Sequence, residues 1–274
     1  MIKRSLCRLF SNNFSDFRLR KLYLDCIDDS GNCFIVYWAE IRTRLISVVY
    51  SGLIFSDHKG STIQGSSFDK IPCPEVQDFL SVNYKPLGIK GSWERCSEPL
   101  ASTLLAYPEN REVNWNCHHP KALAEIYYRD VTYKGYGYGE TLTLTIKPWD
   151  LPINELRWGR FLSDAFSIVW VYWSGSYSIN KIFCNGTEFN DLIFEAQGIR
   201  FDKEYYTLFF ENVQVIRDGR ISDSVPAAPL LKIISKSKIL TSVETKYKAK
   251  STLSANSVSV ASGWSLYETV KWEK

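Results

Sequence analysis

Twice in its 274 residues the chain runs through a tyrosine into Glu-Thr among apolar neighbours. The first run is Tyr138-Gly139-Glu140-Thr141-Leu142-Thr143-Leu144; the second is Tyr267-Glu268-Thr269-Val270-Lys271-Trp272, shorter by one glycine. Each follows a glycine-bearing approach, Gly135 to Gly139 in the first and Gly263 in the second. An earlier tripeptide is also doubled, Val36-Tyr37-Trp38 and Val171-Tyr172-Trp173. The order and spacing of these echoes predict a duplicated β unit. Lys147-Pro148-Trp149-Asp150-Leu151-Pro152 carries two prolines that cannot donate to a ladder, so it reads as the connector. The expected units are 1–147 and 148–274.

Strand signals dominate elsewhere. Lys21 to Ala39 reads as a hairpin around Asp28-Asp29-Ser30-Gly31-Asn32, and Phe161 to Trp173 as a second one broken at Ser163-Asp164. The 9 Trp, 16 Tyr and 15 Phe against one Met favour pleated, half-buried surfaces over amphipathic helices. Glu75 to Ala101 reads as mixed, a short helix or long loops, and Ser222 to Pro229 as a loop. Asn185-Gly186-Thr187 is formally a glycosylation sequon, but after Ile182-Phe183-Cys184 it reads as a hairpin turn.

A formal charge of +3 without a basic stripe argues against a nucleic-acid partner. Seven cysteines with no CxxC pair read as reduced thiols, which fits a cytoplasmic setting. No stretch has the length of apolar residues needed to span a bilayer, and the first ten residues lack the apolar run of a secretion signal. Lys232, Lys236, Lys238, Lys246, Lys248 and Lys250 read as a solvated strand face; weak peripheral contact with an anionic membrane surface is the minority reading. Nothing in the sequence sets the oligomeric state.

Strand parity places the glutamates. Tyr138, Glu140, Leu142 and Leu144 share one face; so do Trp264, Leu266, Glu268, Val270 and Trp272. Each carboxylate therefore sits with apolar residues, where desolvation raises its pKa and suits it to donate a proton at neutral pH. The competing reading is a structural glutamate bonded to Arg157, Arg160 or backbone, and the repetition itself favours structure. In Trp115-Asn116-Cys117-His118-His119, extended geometry puts Cys117 and His119 on one face and His118 on the other, which argues against one metal site; a histidine proton relay fits better. The Gly135 to Gly139 run precedes a strand rather than a helix, so it is no phosphate loop. No metal and no cofactor are expected.

Gly135 to Thr145, the connector, Leu156-Arg157-Trp158-Gly159-Arg160-Phe161, Val169 to Trp173 and Gly263 to Glu268 together resemble the lipocalin-like family of carotenoid 1,2-hydratase (hydroxyneurosporene synthase) and AttH-type proteins. The resemblance implies an all-β fold of two consecutive lipocalin-like antiparallel β-barrels or half-barrels. It also implies a hydrophobic small-molecule ligand and a cofactor-independent hydratase (a lyase) or intramolecular cyclase, acting on an isoprenoid or polyene by acid catalysis within a β-barrel cavity. On that reading Glu140, Tyr138 and Glu268 are the candidate catalytic residues. Trp115, His119, Arg157, Trp158, Trp170, Trp173 and Trp264 are the candidate ligand-binding residues. A noncatalytic carrier of a lipophilic ligand is the alternative, and an assembly protein with a filled interior is the third.

Overall fold

A computed structural model of the chain describes residues 17–44, 46–224 and 242–272. Lys232, Lys236 and Lys238, and the Ser222 to Pro229 loop beyond Ser224, lie outside the described residues. Strands β1 (Arg18–Asp28), β2 (Cys33–Arg42), β3 (Ser47–Ser56), β4 (Thr62–Ser67), β5 (Phe79–Tyr84), β6 (Ile89–Arg95), β7 (Leu100–Tyr107), β8 (Arg111–Tyr128) and β9 (Val131–Leu144) form one antiparallel sheet. A second contains β10 (Ile153–Leu162), β11 (Ser167–Gly175), β12 (Ile179–Cys184), β13 (Thr187–Phe189), β14 (Ile193–Glu195), β15 (Gly198–Phe201), β16 (Tyr206–Arg220), β17 (Val243–Ala255) and β18 (Val258–Lys271). Glu75 to Ala101 is mixed as expected: a short 3-10 helix, Lys85–Leu87, and loops join β5, β6 and the start of β7.

The first sheet runs β4-β3-β2-β1-β9-β8-β6-β5, with β7 paired to β8; the second runs β13-β12-β11-β10-β18-β17-β16-β15-β14. In each, a four-strand meander is closed by the unit's last strand pairing back on its first. The repeated Glu-Thr strands are these closing strands. Their registers align the units: Glu140 lies opposite Tyr23, and Glu268 opposite Trp158. The other echo is out of phase. Tyr23 opposes Tyr37 and Trp158 opposes Val171, so the two Val-Tyr-Trp triplets are offset by one residue. A one-residue offset reverses every face. Trp38 accordingly packs inside the first unit, whereas Trp173 packs between the units.

Each unit encloses its own apolar core. Leu22, Leu24, Phe34, Phe55, Val82, Trp93 and Tyr128 fill the first; Phe161, Ile168, Trp170, Ile182, Phe201 and Leu208 fill the second. Phe55 of β3 meets Tyr128 of β8 with ring centroids 5.5 Å apart, which requires the first sheet to curl upon itself. Gly137 makes room for that core: a Cβ there would stand 2.7 Å from the Trp93 indole, which donates its N–H to Asp25 O at 2.7 Å.

The third core lies between the units and draws on both. Odd residues of β1 and even residues of β10 face it, including Tyr23, Ile27, Trp158 and Leu162. At its centre Arg160 grips Asp25 with Nη2–Oδ1 at 2.5 Å, both side chains fully buried. Asp25 is two residues beyond Tyr23, and Arg160 two beyond Trp158. The ion pair thus joins equivalent positions of the two units.

Asn185 (φ 47°) and Gly186 (φ 87°) form the two-residue turn between β12 and β13, as expected. The six described cysteines are free thiols. No helix among the described residues is long and apolar enough to cross a membrane.

Candidate functional site

The closing strands deliver both glutamates to the face between the units, rather than to either barrel interior. Glu140 is 9% exposed, and its Oε2 accepts two hydrogen bonds, from Tyr138 O–H at 2.6 Å and from the Trp115 indole N–H at 2.5 Å. Tyr138 is two residues away on the same strand; Trp115 opposes Leu142 on β8 and reaches Glu140 on the diagonal. No residue among those described bonds Oε1. Burial raises the carboxyl pKa, and Tyr138, Trp115, the Lys21 charge and the nearby Trp158 indole pull it back only in part.

Aromatic rings pack around this carboxyl. The Trp158 ring meets Tyr23 at 4.9 Å and Tyr138 at 5.3 Å, both edge-on, and its indole N–H is buried without a hydrogen-bond partner. Trp115 leans on Phe183 of β12 at 5.5 Å. Val171 and Trp173 of β11 complete the apolar wall.

Glu268 occupies the equivalent place in the second unit with the opposite chemistry. It contacts the Lys246 ammonium directly, and Lys246 also meets Glu244 at 3.0 Å. Arg217 pairs with Glu244 at 3.2 Å. Burial depresses the Lys246 pKa to about 8, with Glu244 opposing the shift. Burial would raise the Glu244 pKa, but Lys246 and Arg217 hold it low. Lys246 lies 5.8 Å from the ring centre of Tyr37, which opposes Tyr23 on β2.

The sequence-predicted residues therefore divide. Tyr138, Glu140, Trp115, Trp158 and Trp173 gather on the face between the units, as do Glu268 and Trp264 on its other side. Trp170 does not join them: it lies in the second unit's own core, stacked on Phe210. Arg157 faces that same core, bonded to Glu155 and set over Phe194. His119 is also displaced. Two bulges in β8, between Asn116 and His119 and between His119 and Ala122, break the parity assumed for the segment. They bring His118 Nδ1 within 2.7 Å of His119 Nδ1 instead of splitting the two across the strand, and His119 Nε2 meets Asp78 O. Burial lowers the His118 pKa to about 3, so it is a neutral core residue. No cluster of metal-ligating side chains occurs among the described residues.

Two further expectations are overturned. Neither glutamate is held by arginine, because Arg160 is taken by Asp25 and Arg157 by Glu155. Lys246 and Lys248 are not a solvated face but are buried between the units, with Lys248 donating to Gly31 O at 2.8 Å and to Asp57 O. Asp25, Tyr23, Lys21 and Tyr37 were missed as site residues. Their signal was available: charged residues alternating with tyrosine along Lys21-Leu22-Tyr23-Leu24-Asp25 place lysine, tyrosine and aspartate on one face.

Comparison of the fold with solved structures gives full-length matches. CghA, solved with Sch210972, superposes with a TM-score of 0.57 at 9% identity, over 96% of this chain and 92% of that one. An AttH-like protein of Nitrosomonas europaea gives 0.57 at 9% identity, covering 97% of each chain. Kievitone hydratase from Nectria haematococca gives 0.54 at 8% identity, over 93% and 89%. The chain has the two-unit lipocalin-like fold of these proteins. No protein-family model matches the sequence, and no curated protein is significantly similar to it. At such identities the likeness concerns architecture, and the chemistry rests on the residues described above.

Proposed function

We propose that this protein is a cofactor-independent enzyme of the hydratase or cyclase type, acting on a hydrophobic isoprenoid or polyene between its two units. Glu140 is the acid. The observation that carries this reading is the arrangement of its carboxyl: the hydrogen bonds of Tyr138 and Trp115 converge on Oε2, and burial favours the protonated form. Transfer of that proton to an alkene carbon leaves a carbocation, which the faces of Trp158, Tyr138 and Tyr23 are suited to stabilise. Water or a group within the substrate then captures the cation, and a proton returns to the carboxylate. Water capture gives hydration, and internal capture gives cyclisation. The solved relatives support the reading in that one is itself named a hydratase.

Mass spectrometry of organic extracts from the purified protein supplies a substrate candidate. Incubated with wild type, it should yield either a product of unchanged mass or one heavier by a single water. Glu140→Gln keeps the shape and removes the acid, so turnover should fall by at least about a hundredfold with binding retained. Unchanged product formation by Glu140→Gln would remove Glu140 from the mechanism. Tight binding without turnover by wild type would make the protein a carrier.

A further inference from the structure

The alignment of the two units exposes two positions where one carries a polar group and its counterpart does not. Lys21 stands two residues before Tyr23, and the equivalent residue two before Trp158 is Leu156, which packs against the shared core. Tyr37 opposes Tyr23, where the other unit has the buried Val171. Apolar side chains satisfy the fold at both places in one unit, so packing does not demand an ammonium and a phenol in the other.

Nor are these groups satisfied by the protein. The Lys21 ammonium lies 5.1 Å from the ring centre of Tyr37 and 5.9 Å from that of Tyr23, and it forms no ion pair or hydrogen bond among the described residues. The Tyr37 hydroxyl is enclosed and has no hydrogen-bond partner. Around Tyr37 the cations Lys246 and Arg217 are paired with Glu244 and Glu268, whereas Lys21 acts on Glu244 and Glu140 only from further off. Among the described residues the Lys21 ammonium is thus left without a direct anionic partner, beside a buried hydroxyl that also lacks a partner. Lys21 also lies close enough to Glu140 for its charge to act on that carboxyl.

We infer that Lys21 and the Tyr37 hydroxyl form an anchor for an anionic oxygen group, a carboxylate or enolate, at one end of an otherwise apolar substrate. The anchor rests on the reading of Glu140 as the acid of a hydrophobic-substrate enzyme and narrows its substrate class. With the oxyanion over Lys21 and Tyr37, the apolar chain extends past Tyr23 to Trp158 and Glu140. The ion pair and the phenolic hydrogen bond fix which double bond meets the acid.

The test uses trans-parinaric acid, a fluorescent polyene carboxylate, against its methyl ester, titrated into the full chain. Wild type should prefer the acid by about tenfold, the worth of one charge-assisted hydrogen bond. Lys21→Met and Tyr37→Phe should each shrink that preference, Lys21→Met to within about twofold, without weakening the ester, at unchanged thermal midpoints. Using two variants keeps the test decisive if one fails to fold. Equal binding of acid and ester by wild type would overturn the anchor alone and leave the role of Glu140 standing. A preference untouched by both substitutions would also overturn it. If neither probe binds, the anchor and the apolar binding region fall together, while turnover of an extracted substrate still decides Glu140.

Discussion

Glu140 and Glu268 occupy the same place in two copies of one architecture, yet their surroundings have made them different groups. Around Glu140 the direct donors are neutral and the Lys21 charge acts only from further off, so burial raises its pKa. Around Glu268 there is a lysine, shared with a second carboxylate that is itself tied to an arginine. A buried carboxylate has two ways out of its desolvation cost, to take a proton or to take a cation, and the two units lean opposite ways. The first leaves a proton available for chemistry; the second uses the charge to join strands.

The contrast can be broken most forcefully where the units share a group. Arg160→Met leaves Asp25 buried without its cation and should cost about 4 kcal/mol in denaturant unfolding, disturbing both sides of the interface at once. A cost near zero would mean that this ion pair does not hold the units together. Lys246→Met should cost about 3 kcal/mol by stranding Glu268, and adding Glu268→Gln should recover part of it in a double-mutant cycle. Glu140→Gln is expected to cost about 1 kcal/mol or less, because the amide oxygen still accepts from Tyr138 and Trp115. If Glu140→Gln and Lys246→Met destabilise equally, the division into a chemical and a structural glutamate fails.

The smallest effect is in pH dependence, and its sign differs between the two sides. Glu140 has a raised folded pKa, so the stability it lends is complete below the ordinary carboxyl pKa of 4.5 and is lost as pH climbs through the folded value. The thermal midpoint of wild type should therefore decline relative to Glu140→Gln from about pH 4 upward. Lys246 has a depressed folded pKa, so its term is lost as pH falls through about 8 and regained on rising toward 10.5. That alkaline gain should be absent from Lys246→Met. Parallel pH curves for wild type and both variants would leave the glutamates undistinguished.

Much of this was legible in the chain. The doubled Glu-Thr strand marked the duplication, because each copy is the strand that closes its unit. Parity put both glutamates on the apolar face, since neither closing strand has a bulge at that point. The same rule failed at His118 and His119, where bulges in β8 insert residues that no periodicity announces. The Val-Tyr-Trp echo misled for a related reason: three residues can recur one place out of register and point to opposite sides.

By itself the sequence determined the local terms: strands from alternation and aromatics, turns such as Asn185-Gly186, two similar units, and carboxylates on apolar faces. Those properties depend on backbone period and on neighbours within a strand. What the apolar faces look upon was decided only in three dimensions. Packing the two units face to face set Arg160 on Asp25, Trp158 on Tyr138, and Lys246 against Tyr37, contacts between residues that belong to different units. A pKa and a charge balance are sums over such neighbours, so only the packed structure separates Glu140, the candidate acid, from Glu268, its ion-paired counterpart.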